Sequence, residues 1–125
     1  DGATVRLTEF SAGLTPSEQK AWDAARDTLQ IGLAVPRASQ LGLSVELVHA
    51  LIRADELVKI ADDLVYLPHQ IDGIEQRLRE VPHEFTVAEF RDLVGVTRRQ
   101  AIPLLEWFDK QGITTRHGDV RSIRS

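Results

Sequence analysis

Residues 97–123, TRRQAIPLLEWFDKQGITTRHGDVRSI, contain a helix-start signal, an amphipathic run, a glycine stop and two short alternating segments. Thr97 is suited to the N-cap position, with Gln100 three residues later as its capping-box partner. Gly112 ends the run, and the two segments around Gly118–Asp119 have the pattern of a β-hairpin. A helix that leads into a two-stranded hairpin is typical of the recognition helix and wing of a winged helix.

The same order of elements is predicted a second time, upstream in the chain. The upstream copy predicts a first helix in LTPSEQKAWDAARDTLQ, a short second helix in PRASQLGL, a third helix in SVELVHALIRADELV and a hairpin in LVKIADDLVYLP. The second copy begins with helices in HQIDGIEQRLRE and in FTVAEFRDLVGV, where Thr86 and Glu89 form another capping box. Placing Ser44 on Thr97 aligns the third helices of the two copies, and a three-residue offset then aligns their hairpins.

This repeat predicts a mostly α-helical protein with small β-hairpins, built from two tandem winged helices over residues 1–70 and 71–125. The chain has 125 residues, so each unit would be very small and would benefit from packing against the other. The hydrophobic content is 42%, which is typical of a globular protein. There is no Met, even at position 1, and we expect a fragment of a longer protein.

Several classes of function are disfavoured by what the sequence lacks. Without cysteine there can be neither a disulfide nor a thiolate metal site, and the scattered His49, His69 and His83 lack ligand spacing. No Gly-rich phosphate loop, GxSxG or HExxH motif is present. No apolar run approaches the length of a membrane span. We therefore expect no enzyme activity, cofactor or metal, and a cytoplasmic location.

Charge is distributed unevenly along the chain. The formal net charge is -4, but residues 96–125 carry six basic and three acidic side chains, a net of +3. The remaining residues 1–95 therefore carry -7. Because recognition depends on the local field, the cationic end predicts an anionic partner in spite of the acidic whole.

The two copies differ at the start of the third helix. Arg98 and Arg99 in the second copy align with Val45 and Glu46 in the first. A helix N-terminus offers free N–H groups to a phosphate, and two arginines there add charge and bidentate donors. The second copy is thus predicted to bind and the first to act as a spacer.

The wings differ in the same way. The second wing carries Arg116, His117 and Arg121 where the first copy is apolar or acidic, and we expect the two arginines to straddle a nucleic-acid backbone. Trp22 and Trp107 are predicted to be core residues. Two adjacent arginines also occur on ordinary solvated helix faces, so the wing residues carry much of this prediction.

Two other functions stay open at this point. A DNA-binding transcription regulator would place residues 98–108 in a major groove, and would be expected to dimerise. The sequence shows no pattern typical of a dimerisation interface, and we expect a monomer. A protein-interaction module would use the acidic first copy as its docking face, but the basic residues confined to the second copy disfavour it.

The segment from FTVAEF to VRSIR resembles the C-terminal winged helix of the bacterial selenocysteine-specific elongation factor, most specifically in EFRDLVG and LLEWFDKQGIT. LVKIADDLVYLP followed by IDGIEQRL resembles the preceding winged helix, so the resemblance covers residues 12–125. In that family a GTPase delivers selenocysteyl-tRNA to the ribosome, and the last winged helix holds a hairpin in the selenoprotein mRNA, the SECIS element. The resemblance implies that this chain is only the mRNA-binding tail. The RNA-binding residues that it implies are Arg98, Arg99, Arg116, His117, Gly118, Val120 and Arg121.

Overall fold

The structure is a computed structural model that describes residues 14–81 and 83–123. In it the first unit contains two α-helices and a hairpin. Its elements are α1 (Pro16–Gln30), α2 (Val45–Arg53), β1 (Val58–Ala61) and β2 (Leu64–Tyr66). The capping box at the start of α1 is confirmed, because the Glu18 N–H donates to Thr15 Oγ1 (3.1 Å) and the Thr15 N–H donates to Glu18 Oε1 (3.0 Å). Ser44 likewise caps α2.

The predicted short second helix of the first unit is only one turn of 3-10 helix, Ala38–Gln40. Its first N–H groups are held by the wing of the same unit. The Ala38 N–H donates to the Asp63 carbonyl (2.9 Å), and the Ser39 N–H donates to Asp63 Oδ1 (2.8 Å). The turn is therefore fixed by a tertiary contact, which local propensity does not reveal.

The second unit follows after a single residue, Leu67. Its elements are α3 (Pro68–Arg79), β3 (Phe85–Thr86), α4 (Val87–Val94), α5 (Arg98–Lys110), β4 (Thr114–His117) and β5 (Val120–Ile123). The Thr86–Glu89 capping box is confirmed, and Gly95 ends α4 in the left-handed conformation at φ 73°. The predicted boundary after residue 70 falls within α3.

The wing of the second unit is a three-stranded antiparallel sheet in the order β3-β5-β4. β4 and β5 form the predicted hairpin around Gly118–Asp119, whereas β3 was not predicted. A two-residue strand is too short to show an alternating pattern in the sequence. β3 nevertheless changes the wing, because pairing with β3 makes β5 the central strand of the sheet.

The buried apolar side chains of both units form one continuous core. Trp22 and Leu51 in the first unit, and Phe90 and Phe108 in the second, are at most 3% exposed. The prediction for Trp22 is confirmed, whereas Trp107 is only half-buried at the edge of this core. The recognition helix α5 also packs against β1, so the two units share an interface. Within residues 14–81 and 83–123, no helix combines the length and apolar character that a membrane crossing requires.

Candidate nucleic-acid interface

The N-terminus of α5 is organised by Gln100, which is 2% exposed. Its Oε1 accepts from the Thr97 N–H (2.9 Å) and from the Thr97 hydroxyl. Its Nε2 donates to the carbonyl of Val35 in the first unit (3.1 Å). One side chain therefore both caps the recognition helix and fixes its end against the other winged helix.

Arg98 and Arg99 are the first two residues of α5, and both are exposed. Arg99 Nη2 also donates to the Val35 carbonyl (2.9 Å), so that oxygen accepts from two side chains of the second unit. A guanidinium has five N–H donors, which leaves Arg99 further donors for a ligand. The first two N–H groups of a helix, here those of Arg98 and Arg99, find no partner within the helix, and they lie beside these two cations.

The tip of the wing is exposed at Arg116, His117 and Gly118. Gly118 adopts φ 64°, a left-handed conformation that other residues seldom adopt. Its carbonyl accepts from Arg116 Nε (2.9 Å), which holds the guanidinium close to the turn. The guanidinium has five N–H donors, so four remain beyond the one at Nε that this contact uses.

Arg121 does not lie where the sequence predicted. Its side chain is buried, with 6% exposure for the residue, and Nε lies 3.1 Å from Asp109 Oδ2 and 3.3 Å from Oδ1. Asp109 Oδ1 also accepts from the Thr114 hydroxyl (2.6 Å). Arg121 projects from the central strand β5 toward α5, and fastens the wing to that helix through its ion pair with Asp109. It cannot straddle a nucleic-acid backbone together with Arg116.

The two faces of the wing carry different residues. Arg116 lies directly opposite Arg121 across the hairpin, and His117 lies opposite Val120. Since opposed residues of an antiparallel pair share a face and successive residues alternate, His117 and Val120 lie on the face opposite to Arg116. His117 is exposed and Val120 is half-buried. Arg116 and Arg121 therefore share one face of the hairpin, and His117 and Val120 share the other.

The corresponding positions of the first unit have no basic residue. Val45 is 67% exposed, and its neighbour Glu46 is exposed as well. In the first wing, Asp63 accepts from Ser39 and lies 3.9 Å from Arg37 Nη1. The backbone N–H of Ser39 holds the pKa of Asp63 below its ordinary 3.8, with Arg37 acting in the same direction. In the part of the chain that the structure describes, no His, Asp and Glu side chains are grouped as a metal site.

Comparison with known families gives a match in the second unit. Residues 76–123 match the family described as "Elongation factor SelB, winged helix". The selenocysteine-specific elongation factor of Desulfomicrobium baculatum is 34% identical over 123 residues, which cover 96% of this chain and 18% of that protein. That of Escherichia coli K12 is 28% identical over 134 residues, covering 96% of this chain and 21% of that protein. The chain therefore spans about a fifth of the length of these relatives.

Solved structures share the fold. A crystal structure of a bacterial selenocysteine-specific elongation factor superposes with a TM-score of 0.73 at 22% identity, over 90% of this chain and 20% of that one. The mRNA-binding domain of elongation factor SelB from E. coli, solved in complex with SECIS RNA, superposes with a TM-score of 0.67 at 22% identity, over 90% of this chain and all of that one. The prediction of tandem winged helices is thereby confirmed. The second unit matches the SelB winged-helix family, and the chain is similar to selenocysteine-specific elongation factors over nearly its whole length.

Proposed function

We propose that this chain binds an mRNA hairpin of the SECIS class through the N-terminus of α5 and the wing of the second unit. The observation that carries the proposal is the exposure of Arg98, Arg99 and Arg116, whose counterparts in the first unit are not basic. The similar E. coli domain was solved with SECIS RNA bound, which supports the same class of ligand here.

The arrangement suits a hairpin better than a regular duplex. The deep, narrow major groove of A-form RNA excludes a helix, whereas the bases of a loop are splayed and can be read at their edges. Arg98, Arg99 and Arg116 would contact phosphates. His117 and Val120, on the other face of the wing, would meet exposed bases or sugars, with Gly118 allowing close approach at the turn. Arg121 would act indirectly, by holding the wing in place.

In the context of the longer relatives, the chain would anchor an elongation factor to the message. Its relatives are selenocysteine-specific elongation factors, and this chain spans about a fifth of their length. We expect it to act as a monomer in the cytoplasm, with the ribosome as a partner of the full-length protein. Catalysis would belong to other parts of that protein.

The test is a titration of the chain against a short bulged RNA hairpin, a loop-scrambled version of it and a DNA duplex, at several salt concentrations. We expect preference for the intact hairpin. If three arginines neutralise phosphates, the slope of log K against log salt should be roughly -2, at about 0.7 per contact in single strands. A slope near zero would refute phosphate binding, and preference for the DNA duplex would favour a transcription regulator.

Two variants separate contact residues from the buried arginine. Arg98→Gln should weaken binding and reduce the salt slope by about 0.7–0.9, which is the contribution of one phosphate contact. Arg121→Gln should lower the unfolding temperature, because it leaves Asp109 without its buried partner. If Arg121→Gln instead changed the salt slope as Arg98→Gln does with the fold intact, Arg121 would itself be an RNA contact.

A further inference from the structure

Arg37 is a basic residue of the first unit that lies at the junction with the recognition helix. Its side chain is 55% exposed, although the first unit is acidic as a whole. Its backbone N–H donates to Gln40 Oε1 (3.1 Å), so the backbone of this residue supports the 3-10 turn. Among residues 14–81 and 83–123, the only ion pair of its guanidinium is a long one with Asp63, at 3.9 Å. A pair of this kind between exposed groups is weak.

The geometry brings Arg37 close to the arginines of α5. Arg99 Nη2 contacts the carbonyl of Val35, which is two residues before Arg37. Val35 precedes Pro36, and a residue before proline is restricted to extended conformations. Two residues of extended chain span at most about 7 Å, so Arg37 starts within that distance of the point where Arg99 is anchored.

Asp63, an acid that lies near Arg37, already accepts hydrogen bonds from Ser39. Asp63 accepts from the Ser39 N–H (2.8 Å) and from the Ser39 hydroxyl (3.0 Å), so its carboxylate is oriented toward the 3-10 turn. Arg37, Arg98, Arg99 and Asp63 together carry a formal charge of +2. Because the cations come from both units, the cluster depends on how the two winged helices are joined.

We propose that Arg37 belongs to the RNA-binding surface, and that Arg37, Arg98 and Arg99 together contact the backbone phosphates of the hairpin stem. The inference rests on the proposed function and extends it to the first unit, which the sequence predicted to be a spacer. Phosphate contacts carry no sequence information. The contribution of Arg37 should therefore be the same for any loop sequence on the same stem.

The test uses the full 125-residue chain. Arg37→Gln is titrated against the bulged hairpin and its loop-scrambled version. We expect affinity for both RNAs to fall by about fivefold at 0.1 M salt, and the salt slope to shrink by about 0.7–0.9, as for the loss of one phosphate contact. Arg37→Lys should retain most of the affinity. Arg53→Gln is the matched control, because Arg53 is an exposed arginine of the same unit at the far end of α2.

The outcomes distinguish this inference from the function on which it rests. If Arg37→Gln binds like the unchanged chain while Arg98→Gln is weakened, the inference is wrong and the proposed function stands. If neither variant is weakened, both are wrong. A loss of affinity without a smaller salt slope, or an equal loss in Arg53→Gln, also overturns the inference. Thermal unfolding of each variant shows whether the fold is retained, and Arg37→Lys tests the charge if Arg37→Gln is destabilised.

Discussion

Asp109 on α5 and Arg121 on β5 form an ion pair, with 3.1 Å between Oδ2 and Nε, that joins the recognition helix to the wing. The arginine is almost completely buried, whereas the Asp109 side chain is 26% exposed. Thr114, at the start of β4, donates to the same carboxylate. A single acid thus fixes both strands of the wing hairpin relative to the helix that carries Arg98 and Arg99.

Asp109→Ala should destabilise the protein by about 2 kcal/mol. The substitution leaves the Arg121 charge buried without its partner, a change that costs about 3–5 kcal/mol in fully buried pairs and less here because Asp109 is partly exposed. Urea unfolding at pH 7 measures the change. As a control, Glu75→Ala breaks the pair with Arg79, whose side chain is 43% exposed, and should cost less than about 0.5 kcal/mol. Equal losses in the two variants would mean that the buried pair has no special role.

Substitution of two glycines by alanine should change stability in opposite directions. Gly118 has φ 64°, so Gly118→Ala should cost about 1 kcal/mol through backbone strain. Gly73 lies on the exposed side of α3 with open space around it, so Gly73→Ala should stabilise by about 0.5–1 kcal/mol through helix propensity. Thermal unfolding compares them. A stabilised Gly118→Ala variant would contradict the left-handed turn.

Gln100→Glu should destabilise the protein more at pH 7 than at pH 4. The variant keeps the acceptor for the Thr97 N–H but replaces the donor to the Val35 carbonyl with a buried carboxylate. Burial raises the pKa of such a carboxyl above the unfolded value of about 4.3, so stability is greatest at low pH and is lost as the pH rises through the folded pKa. Urea unfolding should show a loss of about 2 kcal/mol at pH 7.

Gln40→Glu is the matched control for that substitution. Gln40 Oε1 also accepts a capping N–H, from Arg37, but Gln40 is exposed. We expect little change in stability at either pH, because a carboxylate in water needs no buried partner. A pH-independent loss in Gln100→Glu, or an equal loss in both variants, would contradict the role assigned to the Val35 carbonyl.

The contact between Asp63 and Ser39 should weaken in acid. The Ser39 N–H lowers the pKa of Asp63 below 3.8. A depressed carboxyl pKa contributes stability above the unfolded value, and this contribution is lost as the pH falls through the folded pKa. The amide chemical shift of Ser39, followed by NMR from pH 6 to pH 2, should therefore titrate with a midpoint below 3.8. Asp63→Asn should abolish that titration, and a midpoint above 3.8 would contradict the prediction.

The sequence predicted those parts of the fold that depend on local chemistry. The Thr15–Glu18 and Thr86–Glu89 capping boxes and the Gly118 turn follow from a few adjacent residues, and all three are present. The sequence predicted a short helix where the structure has one 3-10 turn. This turn is held by hydrogen bonds from its N–H groups to Asp63, which is 24 residues from Ser39. Such a contact leaves no periodic signal.

For the candidate site, the sequence identified the cationic element but could not tell an exposed arginine from a buried one. Arg116 and Arg121 flank the same turn and look equivalent in the sequence. They differ because β3, a strand of two residues, pairs with β5 and not with β4. Arg37 was missed for a similar reason, since only the contact between Arg99 and Val35 brings it near α5.

The short passage from β2 to α3 has a mechanical consequence. Only Leu67 lies between the two elements, and its N–H is held by Gln70, whose Nε2 donates to the carbonyl of Leu29 at the end of α1 (2.6 Å). The two winged helices are therefore joined without a flexible linker that could extend under force. A force applied to the second unit would therefore be transmitted to the end of α1 through the hydrogen bonds of Gln70.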